Sequence, residues 1–164
     1  MCYQSLGRFD QQVSTKFHLD GGPAASYLML GYEPSSVAST LALADYSRAA
    51  QDLGMQPREF LDRFNPMFPD GANRVAPYAV TLSWFDHRRP QIVVINNSSQ
   101  SWVIPQGQLG VLHCGKIPVP DPSVSRVINS TLMVEYDPST EPGDDFDMVR
   151  RFLETESIAR SSYN

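Results

Sequence analysis

Apolar and polar residues take turns along several short stretches of this chain. Val13, Thr15, Phe17 and Leu19 alternate with Ser14, Lys16 and His18, the period of two expected of a strand with one side in a core. Asp-Gly-Gly-Pro at 20–23 predicts a turn. A second strand is expected over 26–33, with Leu28, Leu30 and Tyr32 on one side and Pro34 ending it. The period then changes. Leu43, Tyr46, Ala50 and Leu53 fall three or four apart, predicting a helix within 39–53, capped by Ser39 or Thr40 and stopped at Gly54. A short helical turn from Pro57 should carry Phe60, Leu61 and Phe64, and 65–77 reads as a breaker-rich loop.

Strands resume at 78–84, where Tyr78, Val80, Leu82 and Trp84 alternate with Ala79, Thr81 and Ser83. Residues 90–96 are apolar without alternation, as for a strand covered on both faces. Another strand is expected over 107–115, and a proline-rich crossing separates it from the last, at 130–137. There Leu132, Val134 and Tyr136 share one face, Thr131, Met133, Glu135 and Asp137 the other, and Pro138 ends the strand. The expected inward set is Phe17, Leu30, Val80, Leu82, Val94, Leu109, Leu132 and Val134. Six or seven strands around one inserted helical segment predict an all-β antiparallel sandwich.

Composition narrows the function classes. The chain has 164 residues, 41% hydrophobic and 19% charged, enough for one domain with a real core. Its net charge of -5 argues against gripping nucleic acid through the whole surface. Lys16 with Arg88 and Arg89 forms the one candidate nucleic-acid-facing patch. No apolar run is long enough to span a bilayer, so no membrane partner is expected. Two cysteines, Cys2 and Cys114, make no disulfide framework and should be reduced and unlinked. The three N-glycosylation sequons are discounted for want of a secretory signal.

Catalytic and metal motifs with fixed spacing (HExxH, CxxC, GxSxG, Walker) do not occur. His18 is read on the polar side of its strand. His113 and Cys114 are neighbours in a strand and so point to opposite faces, which makes a dyad geometrically poor. Cys2 could act only as an N-terminal nucleophile, with no glycine-rich oxyanion loop beside it. Glu33, Asp45, Asp70, Asp86, Glu135 and Asp137 are read as solvated charge. No catalytic residue, no cofactor and no metal site is assigned.

The order of the pieces is specific. "YLMLGYEPSSVASTLALADYSRAAQ" resembles the strand E, breaker and helix of jelly-roll coat proteins from small icosahedral RNA viruses, the sobemo-, tombus- and luteovirus relatives. "PQIVVINNSSQSWVIPQGQLGVLHCGK" is similar to their strand G, polar loop and strand H, and "NSTLMVEYDPST" to their closing strand I. The resemblance implies an antiparallel jelly-roll shell domain over 1–140, followed by an acidic tail over 141–164. It also implies a non-enzymatic capsid subunit that self-assembles with identical or related subunits in the virion, formed in the host cytoplasm. Interface calcium in that family has no matching acid-rich positions here.

Trp102, Met133, Phe146 and Val149 are the interface candidates, the last two on a helical face of 144–153. A basic arm and a first strand B are not recognised, so the chain is expected to be a fragment or to need a second polypeptide along the open edge of 130–137. The alternative function is a non-catalytic β-sandwich binding module using Tyr78, Trp84 and Trp102.

Overall fold

The computed structural model describes residues 2–23, 25–99 and 110–134. Among these, seven strands form two antiparallel sheets. The first sheet has the order β1 (Cys2–Asp10), β7 (Val127–Val134), β2 (Tyr27–Tyr32), β5 (Gln91–Asn96). The second has the order β4 (Ala79–Thr81), β3 (Thr40–Asp45), β6 (Val111–Lys116). Residues 14–18 run along the free edge of β6. Thr15 N–H donates to Gly115 O at 2.9 Å, and His18 and His113 exchange backbone hydrogen bonds at 3.1 Å.

Two apolar clusters follow from the alternation. Between the sheets lie Leu28, Leu30, Tyr32, Leu41, Val93, Ile95, Ile128, Leu132 and Val134. On the outer face of the three-stranded sheet, Tyr46, Phe60, Val75, Ala44 and Leu112 pack with Phe17 and Leu19 beneath three short helices. These are α1 (Tyr46–Asp52), α2 (Pro57–Arg63) and α3 (Pro69–Val75). Asp45 caps α1 by accepting from Arg48 N–H at 2.9 Å, and proline opens both α2 and α3.

Several expectations are corrected. The expected first-strand gap is filled: β1 pairs with β7 over its length, and β2 takes the other side. That edge is closed within the chain, so β7 offers no open side for a second polypeptide to complete. Gly7, at φ 130, sits at a register shift between Ser5 and Gly7, and this bulge hides the period of two. The helix expected over 39–53 is a strand to Asp45 and a helix only from Tyr46. In "TLALAD", Leu41, Leu43 and Asp45 are two apart, the strand period, and only the spacing that links Leu43 to Tyr46, Ala50 and Leu53 reads as helix. The breaker-rich loop contains α3, and the strand at 78–84 shrinks to Ala79–Thr81.

β5 is not covered on both faces. Val93 and Ile95 are buried, but Ile92 and Val94 are 68% and 56% exposed. Val80 shares the inter-sheet side with its partner Leu43 but, on the edge strand β4, is 59% exposed. Leu30, Leu132 and Val134 are buried as expected, and Phe17 and Leu82 pack against the two clusters. Cys114 is free and buried. Leu109, Trp102 and everything from 135 onward lie outside the described residues.

Gly71 shows how tightly α3 docks. A Cβ there would meet Asn65 O at 2.3 Å and Phe64 O at 2.5 Å, both backbone atoms that cannot swing aside. Gly71→Ala is expected to destabilise by about 1–3 kcal/mol, read as a lowered midpoint in urea with an unchanged slope.

Candidate metal centre

His18 and His113 form an isolated antiparallel bridge. Residues directly opposed in such a pair send their side chains to the same face. Their rings accordingly lie 4.2 Å apart between centroids. Asp20, two positions beyond His18 on extended chain, shares that face. Its Oδ1 is 3.5 Å from His18 Nε2 and 4.0 Å from His113 Nε2. One donor atom from each of the three residues falls within 4.8 Å of the others.

The face they share looks between the sheets. Phe17 and Leu19 point the other way, into the helix-backed cluster. Leu43, which pairs with His113, packs against the inter-sheet cluster. The alternation read at 13–19 is therefore real, but His18 is half-buried on the inter-sheet side and not on a fully solvated face.

Neighbours fix each donor. His18 Nδ1 lies 2.7 Å from Lys16 O, so Nδ1–H donates there and leaves the Nε2 lone pair toward Asp20. Asn97, buried, clamps the Asp20 backbone from both sides. Asp20 N–H donates to its Oδ1 at 3.0 Å, and its Nδ2 donates to Asp20 O at 2.9 Å. His113 is 6% exposed, and its Nδ1 has no hydrogen-bond partner.

Electrostatics separate the two imidazoles. Burial pulls the His18 pKa down, but the hydrogen bond and charge of Asp20 and the Lys16 carbonyl outweigh it, so the net shift is upward. Burial and the charge of His18 push His113 down to about 4, against a smaller opposing pull from Asp20. At neutral pH His113 is thus a neutral imidazole with a lone pair to offer. In the metal-free protein, NMR should find His18 titrating above its ordinary value and His113 near pH 4. The signs are opposite. Stability from the depressed His113 is full above the ordinary pKa of 6.5 and is lost as pH falls toward 4. Stability from His18 is full below 6.5 and is lost as pH rises through its raised value.

The set fits a divalent cation. Donors at about 2.0–2.2 Å from one ion stand roughly 3–3.5 Å apart; here His18 Nε2 is 3.5 Å and His113 Nε2 4.0 Å from Asp20 Oδ1, so the rings must draw in on an ion. Two imidazoles and one carboxylate from adjacent extended segments supply three donors, fewer than a divalent ion takes. The legible signal was His-x-Asp inside an alternating stretch, which puts two donors on one face.

The residues nominated from sequence are dispersed. Lys16 Nζ donates to Met67 O at 2.7 Å, in the connection between α2 and α3. Arg88 and Arg89 sit in the turn before β5, where Arg89 pairs with Asp86 at 3.3 Å. Met133 is half-buried on the outer face of the four-stranded sheet, between Tyr3 and Tyr27. Trp84 and Val80 are exposed near the opposite sheet's β4 edge. Trp102, Phe146 and Val149 lie outside the described residues. Comparison with known protein families, curated proteins and solved structures finds no match for this chain.

Proposed function

We propose that this protein is a mononuclear-metal enzyme using Fe(II) and dioxygen, with the ion held by His18, Asp20 and His113. The donor set carries the reading: a two-histidine, one-carboxylate face with open positions is the arrangement typical of non-haem Fe(II) oxygenases. The ion, when bound, supplies open coordination positions where dioxygen and a second ligand can meet. His18 and His113 bind as neutral imidazoles and Asp20 as the charge-balancing carboxylate. Asn97 and Lys16 O hold Asp20 and His18 in place, His113 is buried, and the half-buried His18 and Asp20 leave the centre reachable from solvent.

The architecture supports this reading. The sheet orders β1-β7-β2-β5 and β4-β3-β6, with 14–18 along β6, agree with the eight-strand arrangement of a jelly roll, a fold that hosts both binding sites and capsid shells. Zinc is the competing ion for such a donor set. Anaerobic calorimetry with Fe(II), Mn(II) and Zn(II) is the test, with one ion bound per chain expected. Mn(II) should broaden the His18 and His113 signals selectively in NMR. A hundredfold excess of Mn(II) over its Kd should stabilise by about 2.7 kcal/mol, a melting shift of roughly 5–11 °C. A chain that binds none of the three ions overturns the proposal.

A shell subunit is the second reading. The outer face of the four-stranded sheet favours it, since Tyr3, Tyr27, Ile92 and Val94 are all exposed there. A contiguous apolar face of this kind suits association. Closed particles in negative stain would support it, and small species alone would remove it.

A further inference from the structure

The outer face of the four-stranded sheet is built in rows. Residues opposed across antiparallel strands send their side chains to the same side. Tyr3, Met133 and Tyr27 therefore form one row, Met29 and Val94 the next, and Gly31 with Ile92 the third. Tyr3, Tyr27, Ile92 and Val94 are exposed. At the third row Gly31 has no side chain, which leaves a depression of about 440 Å³ beside Ile92, Pro90 and Asn129. Among the described residues nothing covers this face, and the three helices pack on the other sheet. A monomer rarely leaves so much contiguous apolar surface bare.

The chain carries its own cover. β7 is central in this sheet and ends at Val134, beside the row of Tyr3, Met133 and Tyr27. Residues 135–164 follow it. On a helical wheel of 144–153, "DDFDMVRRFL", Phe146, Met148, Val149, Phe152 and Leu153 fall on one side. Asp144, Asp147, Arg150 and Arg151 fall on the other, and Asp145, in the first turn, is the one acid on the apolar side.

Lengths match as well. The connection 135–143 reaches up to about 30 Å, enough to turn back at Pro138 or at Pro142 and Gly143. A helix over 144–153 is about 15 Å long, and β2 and β5 beneath it are each about 20 Å. Two apolar surfaces tethered in one chain meet at an effective concentration of about a millimolar, which favours the tail over any separate partner.

We propose that residues 144–153 dock as an amphipathic helix on the outer face of their own four-stranded sheet, across Tyr27, Val94 and Ile92, with an aromatic ring of the tail in the depression at Gly31. The proposal is independent of the metal reading. A docked tail occupies the face on which the shell reading rests, so the two make opposite forecasts.

Trypsin cleavage after Arg150 and Arg151 in the full chain is the test. Proteolysis of a docked segment follows the population of its open form. Cleavage should be slower than in a synthetic peptide of residues 141–164 by about tenfold or more, and equally slow in dilute and concentrated protein. Ile92→Ser with Val94→Ser should bring the rate up to that of the peptide. Val149→Asp should do the same without touching the sheet, which keeps the test decisive if the sheet variant does not fold. In the native protein, methyl NOEs should link Val149 or Leu153 to Ile92 or Val94.

Cleavage of the native chain at the peptide's rate, or protection that the folded sheet variant or Val149→Asp leaves intact, overturns the inference, as does the absence of those NOEs. Protection lost on dilution assigns the face to a second copy and also overturns it.

Discussion

Asp20→Ala should lower affinity for Fe(II) and Mn(II) by about hundredfold or more, the largest functional effect expected of any single change. Outer partners of metal ligands typically cost about 10–100-fold when removed, and Asp20 is a direct donor that also supplies the set's negative charge. Its loss leaves two imidazoles facing a dication with no compensating anion. The change should be mild for the fold, because Asp20 is held through its backbone by Asn97 and that clamp needs no carboxylate. Asp20→Asn separates charge from shape: it keeps the volume and one carbonyl oxygen, and should still lose most of the affinity.

Asn97→Ala probes the clamp itself. It should cost about tenfold or more in metal affinity and some stability, because Ser26 Oγ and both Asp20 backbone groups lose their partner. Calorimetry on the three variants, with melting curves as the folding control, checks all of this. Native-like metal affinity in Asp20→Ala would show that the carboxylate is only a surface partner of His18.

The strands at 27–32 and 91–96 were legible because proline and strongly apolar residues bound them, and Leu28, Leu30 and Tyr32 are buried as the alternation requires. β1 was not legible, since Gly7 resets its register partway along the strand. The site failed for a different reason. At 13–19 the period was right, but an apolar side was available to be read as the core side. This sheet has cores on both faces: Phe17 and Leu19 take the one under the helices, and His18 and Asp20 take the one between the sheets. Only the bridge to His113, a contact 95 positions away in the chain, shows that the polar side is interior.

Removing residues 1–10 should have the largest effect on the fold. β7 is central to the four-stranded sheet, paired by β1 on one side and β2 on the other. Deletion strips a ladder running from Cys2↔Val134 to Asp10↔Val127 and leaves one long side of β7 with unpaired N–H and C=O groups. It also removes Phe9 from against the inter-sheet cluster, and the Asp10 carboxylate that accepts the Arg126 backbone N–H. Domains of this size retain a net stability of only about 5–15 kcal/mol, and losing an edge strand with its cluster contact consumes most of that margin. An exposed β7 edge then pairs with other chains. The truncated protein should therefore lose its cooperative melt and sediment as associated species, whereas the full chain keeps amide protection along both sides of β7. A truncated form that stays a compact monomer with a sharp transition would mean that β1 is dispensable, and that β2 and β5 with the inter-sheet cluster suffice to hold β7.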